Sequence, residues 1–295
     1  MKIASFNNYC VGIVDGDSLY DITHTLPEFL AEIPRQRINW LISHWAEMKA
    51  VLANYREASQ AQPLEKVQLL PANPAPQHVF AAPANYQKHI GELGDRAVTK
   101  GGRSAREQGF FLKAPGSLVG AGSRVQLPKG SSRRFDHESE LAVIISKEAR
   151  NIPRDQAMNY VFGYACLVDA TMRIEKGVAE EERSMRKSFE TFTPLGPWIV
   201  TADEVEFPEN LSNRLWVNGE LKQSANTSEM IVGIGELIEL VSSVITLQPG
   251  DVIATGTPEG VGPFVPGDDI RIEIQQVGSM SLSVVETDER APRAY

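Results

Sequence analysis

Cysteine is nearly absent from this chain of 295 residues: only Cys10 and Cys166 occur, so no disulfide framework can be built. Cys166 lies inside an apolar run and reads as a reduced, buried thiol. Long hydrophobic runs are missing too. No stretch is long enough to span a bilayer, and the opening Met1-Lys2-Ile3-Ala4-Ser5-Phe6-Asn7-Asn8 lacks an apolar core of signal-peptide length. A cytoplasmic protein with no membrane partner is expected. Positive charge is in the minority, with 29 Lys and Arg against 38 Asp and Glu and a formal net charge of −9. Such a balance repels a phosphate backbone unless basic residues are strongly segregated, so no nucleic acid partner is expected. Histidine is scarce as well, with five in all.

What is present divides near residue 75. Residues 1–75 read as a small N-terminal α+β domain: Val11 to Val14 and Leu19 to Ile22 are short strands of a hairpin turning at Asp15-Gly16-Asp17. Thr25, Pro27 and Glu28 have the spacing of a helix start, and Ile38 to Tyr55 reads as one amphipathic helix with Trp40, Leu41, Ile42, Trp45, Met48 and Leu52 on its apolar positions. Pro71, Pro74 and Pro76 mark the passage into residues 76–295. There β signals dominate, at Leu141 to Ile145, Val161 to Val168, Trp198 to Val200, Leu215 to Val217, Val252 to Ala254, Ile270 to Ile274 and Leu282 to Val285. One helix interrupts them, with Leu237, Ile238, Val241, Val244 and Ile245 on one face of a 3.6-residue period. Polar, proline-broken Thr287 to Tyr295 is expected to fray.

The acids are patterned. Asp136, Glu138 and Glu140 occupy alternate positions at the entrance of an apolar strand, so they share a face at intervals of about 7 Å. Like charges held together raise one another's pKa unless a cation intervenes, and a metal resolves the conflict. The run Val161 to Val168 ends abruptly in Asp169, which alone is either a strand cap in solvent or a ligand. Taken with the E-x-E strand it reads as a ligand. Oxygen donors without a Cys or His pair at zinc spacing favour Mg²⁺ or Mn²⁺ over Zn²⁺.

Other groups are weaker signals. His89 and Glu92 form an H-x-x-E pair that shares one face if the segment is helical, and a His held by a carboxylate is a competent general base near neutral pH. The same pair is often an ordinary surface contact. Lys113 and Lys187 are either solvated charges or groups that reach a site to stabilise an anion. Gly256-Thr257-Pro258-Glu259-Gly260-Val261-Gly262 follows a strand but lacks the Lys-Ser/Thr of a phosphate loop. It is an anion-binding concavity with the Thr257 hydroxyl as a donor, or a tight turn needing positive φ.

These pieces, in this order, resemble the fumarylacetoacetate hydrolase family over about residues 78–285. The resemblance rests on Asn85-Tyr86 with His89 and Glu92, Phe111-Leu112-Lys113, Asp136-x-Glu138-x-Glu140-Leu141, and Gly163-Tyr164 leading to Asp169 and Arg173. It continues through Lys187-Ser188-Phe189, Pro194-Leu195-Gly196-Pro197-Trp198, Val217-Asn218-Gly219-Glu220 with Gln223, Leu247-Gln248-Pro249-Gly250-Asp251 and Gly256-Thr257-Pro258. It implies an α+β fold, a mixed β-sandwich roll as catalytic domain, a homodimer, and Mg²⁺ or Mn²⁺ held by Glu138, Glu140 and Asp169. It also implies a lid around residues 84–111 carrying His89 and Glu92, with Arg173, Lys113, Thr257 and Gln223 toward the substrate and Lys187 in catalysis. The chain departs from the family at His137, where an aromatic residue is usual, at Arg186, where Gly is usual, and at Lys176, where Gln is usual.

The expected activity is hydrolytic C–C cleavage of a small 2,4-dioxo acid of the acylpyruvate type, such as fumarylpyruvate or maleylpyruvate, in catabolism of aromatic or related compounds. The His89–Glu92 pair would activate water against the distal carbonyl, and Lys187 would assist electrostatically. Basic residues of the lid, Arg96, Lys100, Arg103 and Arg106, would hold a second carboxylate. The alternatives are oxaloacetate decarboxylation, dehydration or isomerisation of a related 2-oxo acid, and a non-catalytic metal- or ligand-binding module.

Overall fold

In the computed structural model, which describes residues 1–93, 103–174 and 183–290, the strand Ser139–Ile145 is buried along its whole length. Leu141, Val143 and Ile145 enter one apolar core while Ala142 and Ile144 enter a second. Cover on both faces explains why this strand reads as a continuous apolar run rather than an alternating one. It sits inside an 11-stranded mixed sheet. From edge to edge the path runs Ala61–Pro63, Ser18–Asp21, Cys10–Asp15, Lys2–Phe6, Thr193–Thr201, Val161–Val168, Ser139–Ile145, Val252–Ala254, Val79–Ala81 and Phe111–Lys113. Leu118–Val119 joins Thr193–Thr201 in parallel, off the path.

A five-stranded sheet covers one face, in the order Glu220–Asn226, Ser212–Val217, Asp269–Ile274, Gly278–Arg290 and Arg124–Lys129. Strict alternation in Asp269–Ile274 turns Ile270, Ile272 and Ile274 inward, where they meet Leu141 and Val143. The opposite face is covered by Ile38, Leu41, Ile42, Met48 and Leu52 from the N-terminal helices. The helix Ile234–Val244 buries Ile234, Leu237, Ile238 and Val241, each contributing about 1.5–3 kcal/mol. Its apolar stripe begins earlier than the periodicity suggests, and Val244 stays exposed. The architecture is α+β, two mixed sheets packed face to face with no closed barrel, as expected.

Several local expectations change. Ile38 to Tyr55 is not one helix: Arg37–Ser43 and Trp45–Leu52 are separated at His44, whose ring stacks on Trp40 and whose Nδ1 lies 2.9 Å from the Trp40 carbonyl oxygen. Thr25 caps nothing, and a short 3₁₀ turn, Glu28–Ala31, follows Pro27 instead. The strand Lys2–Phe6 was not visible as a pattern, yet it pairs Lys2 with Val200 and Ile3 with Ile199, so one sheet runs across residue 75. The division into 1–75 and 76–295 therefore stands as a proposal about sequence units. Fraying is corrected for residues 287–290, because Gly278–Arg290 continues as a strand with Arg290 paired to Lys129, while residues 291–295 lie outside the described residues. Among the described residues no helix is long and apolar enough to cross a membrane. Arg96, Lys100 and Lys176 lie outside the described residues, as does the middle of the expected lid.

Candidate metal centre

The site is assembled by strand register. Ser139 pairs with Val168 in the antiparallel ladder of Ser139–Ile145 and Val161–Val168, so Glu138 and Asp169 flank the same end of the two strands. The Asp169 N–H donates to the Glu138 carbonyl at 2.9 Å, closing that end. On the other side Ala142 pairs with Ala254, which brings the chain after Val252–Ala254 past Glu140, whose Oε2 accepts the Gly256 N–H at 2.7 Å. Two adjacent strands thus deliver Glu138, Glu140 and Asp169, all buried, with ligand atoms within 4.8 Å of one another, and a third segment supplies the N–H to Glu140.

The charges around them are unequally matched. Lys187 Nζ donates to Glu138 Oε2 at 2.8 Å, to Asp169 Oδ2 at 2.6 Å and to Thr171 Oγ1 at 2.6 Å. Lys113, fully buried, donates to Asp169 and to the carbonyls of Lys187 and Phe192. Burial lowers the Lys113 pKa while Asp169 opposes that shift. Arg173 Nη2 reaches Glu138 Oε1 at 2.6 Å. Burial alone would raise the Glu138 carboxyl, but Lys187 and Arg173 hold it well below the usual range. Glu140 is different. Burial, then Asp169 and Glu138, push its carboxyl well above the usual range, and a backbone N–H is its hydrogen-bond donor rather than a cation. Three buried carboxylate donors, one of them without a cationic hydrogen-bond partner among the described residues, suit a hard divalent ion.

Asp136 is not part of the cluster. The strand expected to run from Asp136 through Ile145 breaks at Glu138, because Phe135–His137 belongs to a separate sheet with Thr171–Met172 and Gly262–Pro263. The Asp136 carboxylate instead accepts from Arg134 Nε at 2.6 Å and Arg173 Nε at 2.6 Å.

The His89–Glu92 segment is helical, Gln87–Leu93, and the two side chains meet with Nδ1 3.5 Å from Glu92 Oε2. The His89 contact is the main reason the Glu92 carboxyl lies below its ordinary range. Glu92 also accepts the Gly260 N–H at 3.2 Å, which ties this helix to the glycine loop. His89 is buried and contributes to the field on Glu138. Lys88, one residue before it, bridges Glu229 at 2.7 Å and Glu259 at 3.3 Å. Thr257 is buried in the loop, and its Oγ1 accepts from Gln223 Nε2 at 2.8 Å.

Arg106 is withdrawn as a reader of a second carboxylate. Its guanidinium is exposed and donates to Glu236 at 2.6 and 2.9 Å, across the root of the segment from the helix Ile234–Val244. Sequence reasoning quoted Asn85 in a motif without giving it a role and missed Thr171. Asn85 is fully buried and bonds both groups of Val232 and the Thr255 carbonyl, fixing the base of the His89 helix. Thr171 carries the third bond of Lys187, and its place two residues after Asp169 on an extended chain was the available signal.

Gly256 sits at φ +94°, and a Cβ there would lie 2.6 Å from the Asn85 Cβ. Gly256→Ala is therefore expected to cost about 1–3 kcal/mol and to weaken Mn²⁺ binding by displacing the N–H from Glu140. Calorimetric melting with and without Mn²⁺ measures both, and an unchanged protein would contradict the close approach.

Comparison with known proteins follows this geometry. Residues 78–285 match the family described as fumarylacetoacetate (FAA) hydrolase C-terminal. A maleylpyruvate hydrolase of Aquipseudomonas alcaligenes is 44% identical over 295 residues, covering 96% of this chain and 99% of that one. The crystal structure of maleylpyruvate hydrolase from Sphingobium sp. SYK-6, in complex with manganese(II) ion and pyruvate, has a TM-score of 0.86 at 40% identity, covering 98% of this chain and 100% of that one. A 5-carboxymethyl-2-hydroxymuconate delta-isomerase from Mycobacterium smegmatis has a TM-score of 0.74 at 28% identity, covering 98% and 100%.

Proposed function

The chain belongs to the fumarylacetoacetate hydrolase family, and from that premise we propose that it is a metal-dependent hydrolase of acylpyruvate-type 2,4-dioxo acids. Its substrate in this reading is maleylpyruvate or fumarylpyruvate, and its products are pyruvate and a carboxylic acid. One observation carries the reading: three buried carboxylates with ligand atoms within 4.8 Å, in a chain 44% identical to a maleylpyruvate hydrolase.

Glu138, Glu140 and Asp169 would hold Mg²⁺ or Mn²⁺. When bound, such an ion supplies Lewis-acid stabilisation for negative charge building on the 2-oxo acid. His89, oriented by Glu92, takes a proton from water. The water oxygen bonds to the carbonyl carbon remote from the carboxylate, the adjoining C–C bond breaks, and its electron pair leaves with the three-carbon fragment. A proton delivered to that fragment completes pyruvate, so the elements of water are divided between the two products. Lys187, with its ammonium already between Glu138 and Asp169, stabilises the departing negative charge. Thr257 meets the substrate. Lys113 and Arg173 hold the acids in place, and Gln223 holds the loop, because their polar atoms are engaged with protein groups. The same reading includes a cytoplasmic homodimer, with sedimentation as the measure of assembly.

The test is product analysis with Mn²⁺ or Mg²⁺ and a panel of acylpyruvates. Release of pyruvate at rates far above the metal-free protein is expected. Absence of any 2-oxo acid product across the panel would overturn the proposal.

A further inference from the structure

His137 stands where the family resemblance lapses, and the reaction described above gives it no task. It ends the strand Phe135–His137, pairs with Gly262 and is fully buried. Its Nδ1 lies 3.2 Å from Gln223 Oε1, which also accepts the Ser139 N–H at 3.0 Å. At the other end of the same carboxamide, Gln223 Nε2 donates to the Pro258 carbonyl at 3.0 Å and to Thr257 Oγ1 at 2.8 Å.

Two of these partners have roles that cannot change. The Ser139 N–H only donates and the Pro258 carbonyl only accepts, so they orient the Gln223 amide without reference to rotamer convention. With Oε1 turned toward His137, the imidazole must carry its proton on Nδ1. Nε2 then presents a bare lone pair that finds no donor among the described residues, although it is buried against Gly262. At the far end, Thr257 Oγ1 already accepts from Gln223, which directs its own proton away from the amide.

We propose that His137 is a positioning residue: its Nδ1–H is the second donor to Gln223 Oε1 and holds the carboxamide where it donates to Thr257, so that the Thr257 hydroxyl proton is presented to the substrate. This rests on the reading that Thr257 meets a 2-oxo acid. Without the imidazole, Gln223 Oε1 keeps only the Ser139 N–H, so the carboxamide, still oriented by Ser139 and Pro258, is free to shift and its donation to Thr257 weakens. The role is one of binding rather than chemistry, because among the described residues the His137 ring is hydrogen-bonded to Gln223 and not to the acid cluster or the His89–Glu92 pair.

The experiment has two arms. In the unmodified chain with Mg²⁺, ¹⁵N spectra of labelled histidine are expected to include a ring protonated on Nδ1 that is lost in His137→Phe; if the ring lost in that variant is instead protonated on Nε2 alone, the proposal is overturned. In the Mn²⁺ enzyme, His137→Phe is expected to raise the KM for acylpyruvate and the Kd for pyruvate about tenfold, the scale of one lost hydrogen bond, with kcat and Mn²⁺ affinity nearly unchanged. His137→Asn, whose amide nitrogen falls at the Nδ1 position, restores most of the loss, and His137→Gln, which reaches the Nε2 position, does not. Equal behaviour of Asn and Gln, or a loss confined to kcat, overturns the proposal. The spectra and the pyruvate titration need no turnover, so an unmodified chain that cleaves no acylpyruvate would sink the assigned reaction and leave the His137 relay judged on its own data.

Discussion

Exchanging Asp169 for Asn is expected to remove at least about 10³ of kcat and to lower stability by about 3–5 kcal/mol, because it breaks a buried ion cluster from one side. Asp169 is the shared partner of Lys113 and Lys187, both buried, and the amide nitrogen of Asn would face one ammonium or the other. Glu140→Gln should lose Mn²⁺ and activity to a similar degree with the opposite sign in stability. Its carboxyl is held above its ordinary range by burial and by two neighbouring acids, so a neutral amide that still accepts the Gly256 N–H relieves the metal-free protein. Melting of both metal-free variants beside the unmodified chain measures the contrast. If Glu140→Gln melts lower than Asp169→Asn, the account of unequal charge matching fails.

His89→Ala is the second large effect, and it separates the reaction classes. Loss of a positioned general base is expected to cost about 10²–10⁴ in kcat for acylpyruvate cleavage, with little change in KM. The base lies on a helix held by Asn85 beneath and by the Glu92 and Lys88 contacts to the glycine loop, so the alanine variant should keep its fold. Loss of CO₂ from oxaloacetate requires no attacking water. A His89→Ala protein that still decarboxylates oxaloacetate while failing on acylpyruvates assigns His89 to water activation. One that cleaves acylpyruvates at the unmodified rate removes the His89–Glu92 pair from the mechanism.

The match to a structure described as an isomerase at 28% identity shows one scaffold serving different outcomes, since fold alone does not choose among reactions. In the proposed hydrolysis the base, His89, would stand on an element of its own, outside the sheet that carries the acids. That arrangement was legible in part. His89 and Glu92 show their spacing in the sequence, but burial of His89 and the grip of Gly260 on Glu92 come from a loop more than 160 residues away. Arg106 shows the reverse. Arg106 looked like a substrate group from its charge, and Glu236 on a distant helix turned out to be its partner.

By itself the sequence determined the components: an E-x-E at the mouth of an apolar strand, a strand that stops at Asp169, a glycine loop after a third strand, and a charge balance hostile to nucleic acid. Such features are local, and backbone periodicity and residue chemistry suffice to read them. Only the tertiary structure decided that the strand breaks at Glu138, that Asp136 goes to two arginines, that among the described residues Glu140 alone of the three acids has no cationic hydrogen-bond donor, and that Lys113, Gln223 and His137 are inside. Those outcomes depend on strand register and on which distant groups share a buried volume, and neither quantity is carried by any short stretch of chain.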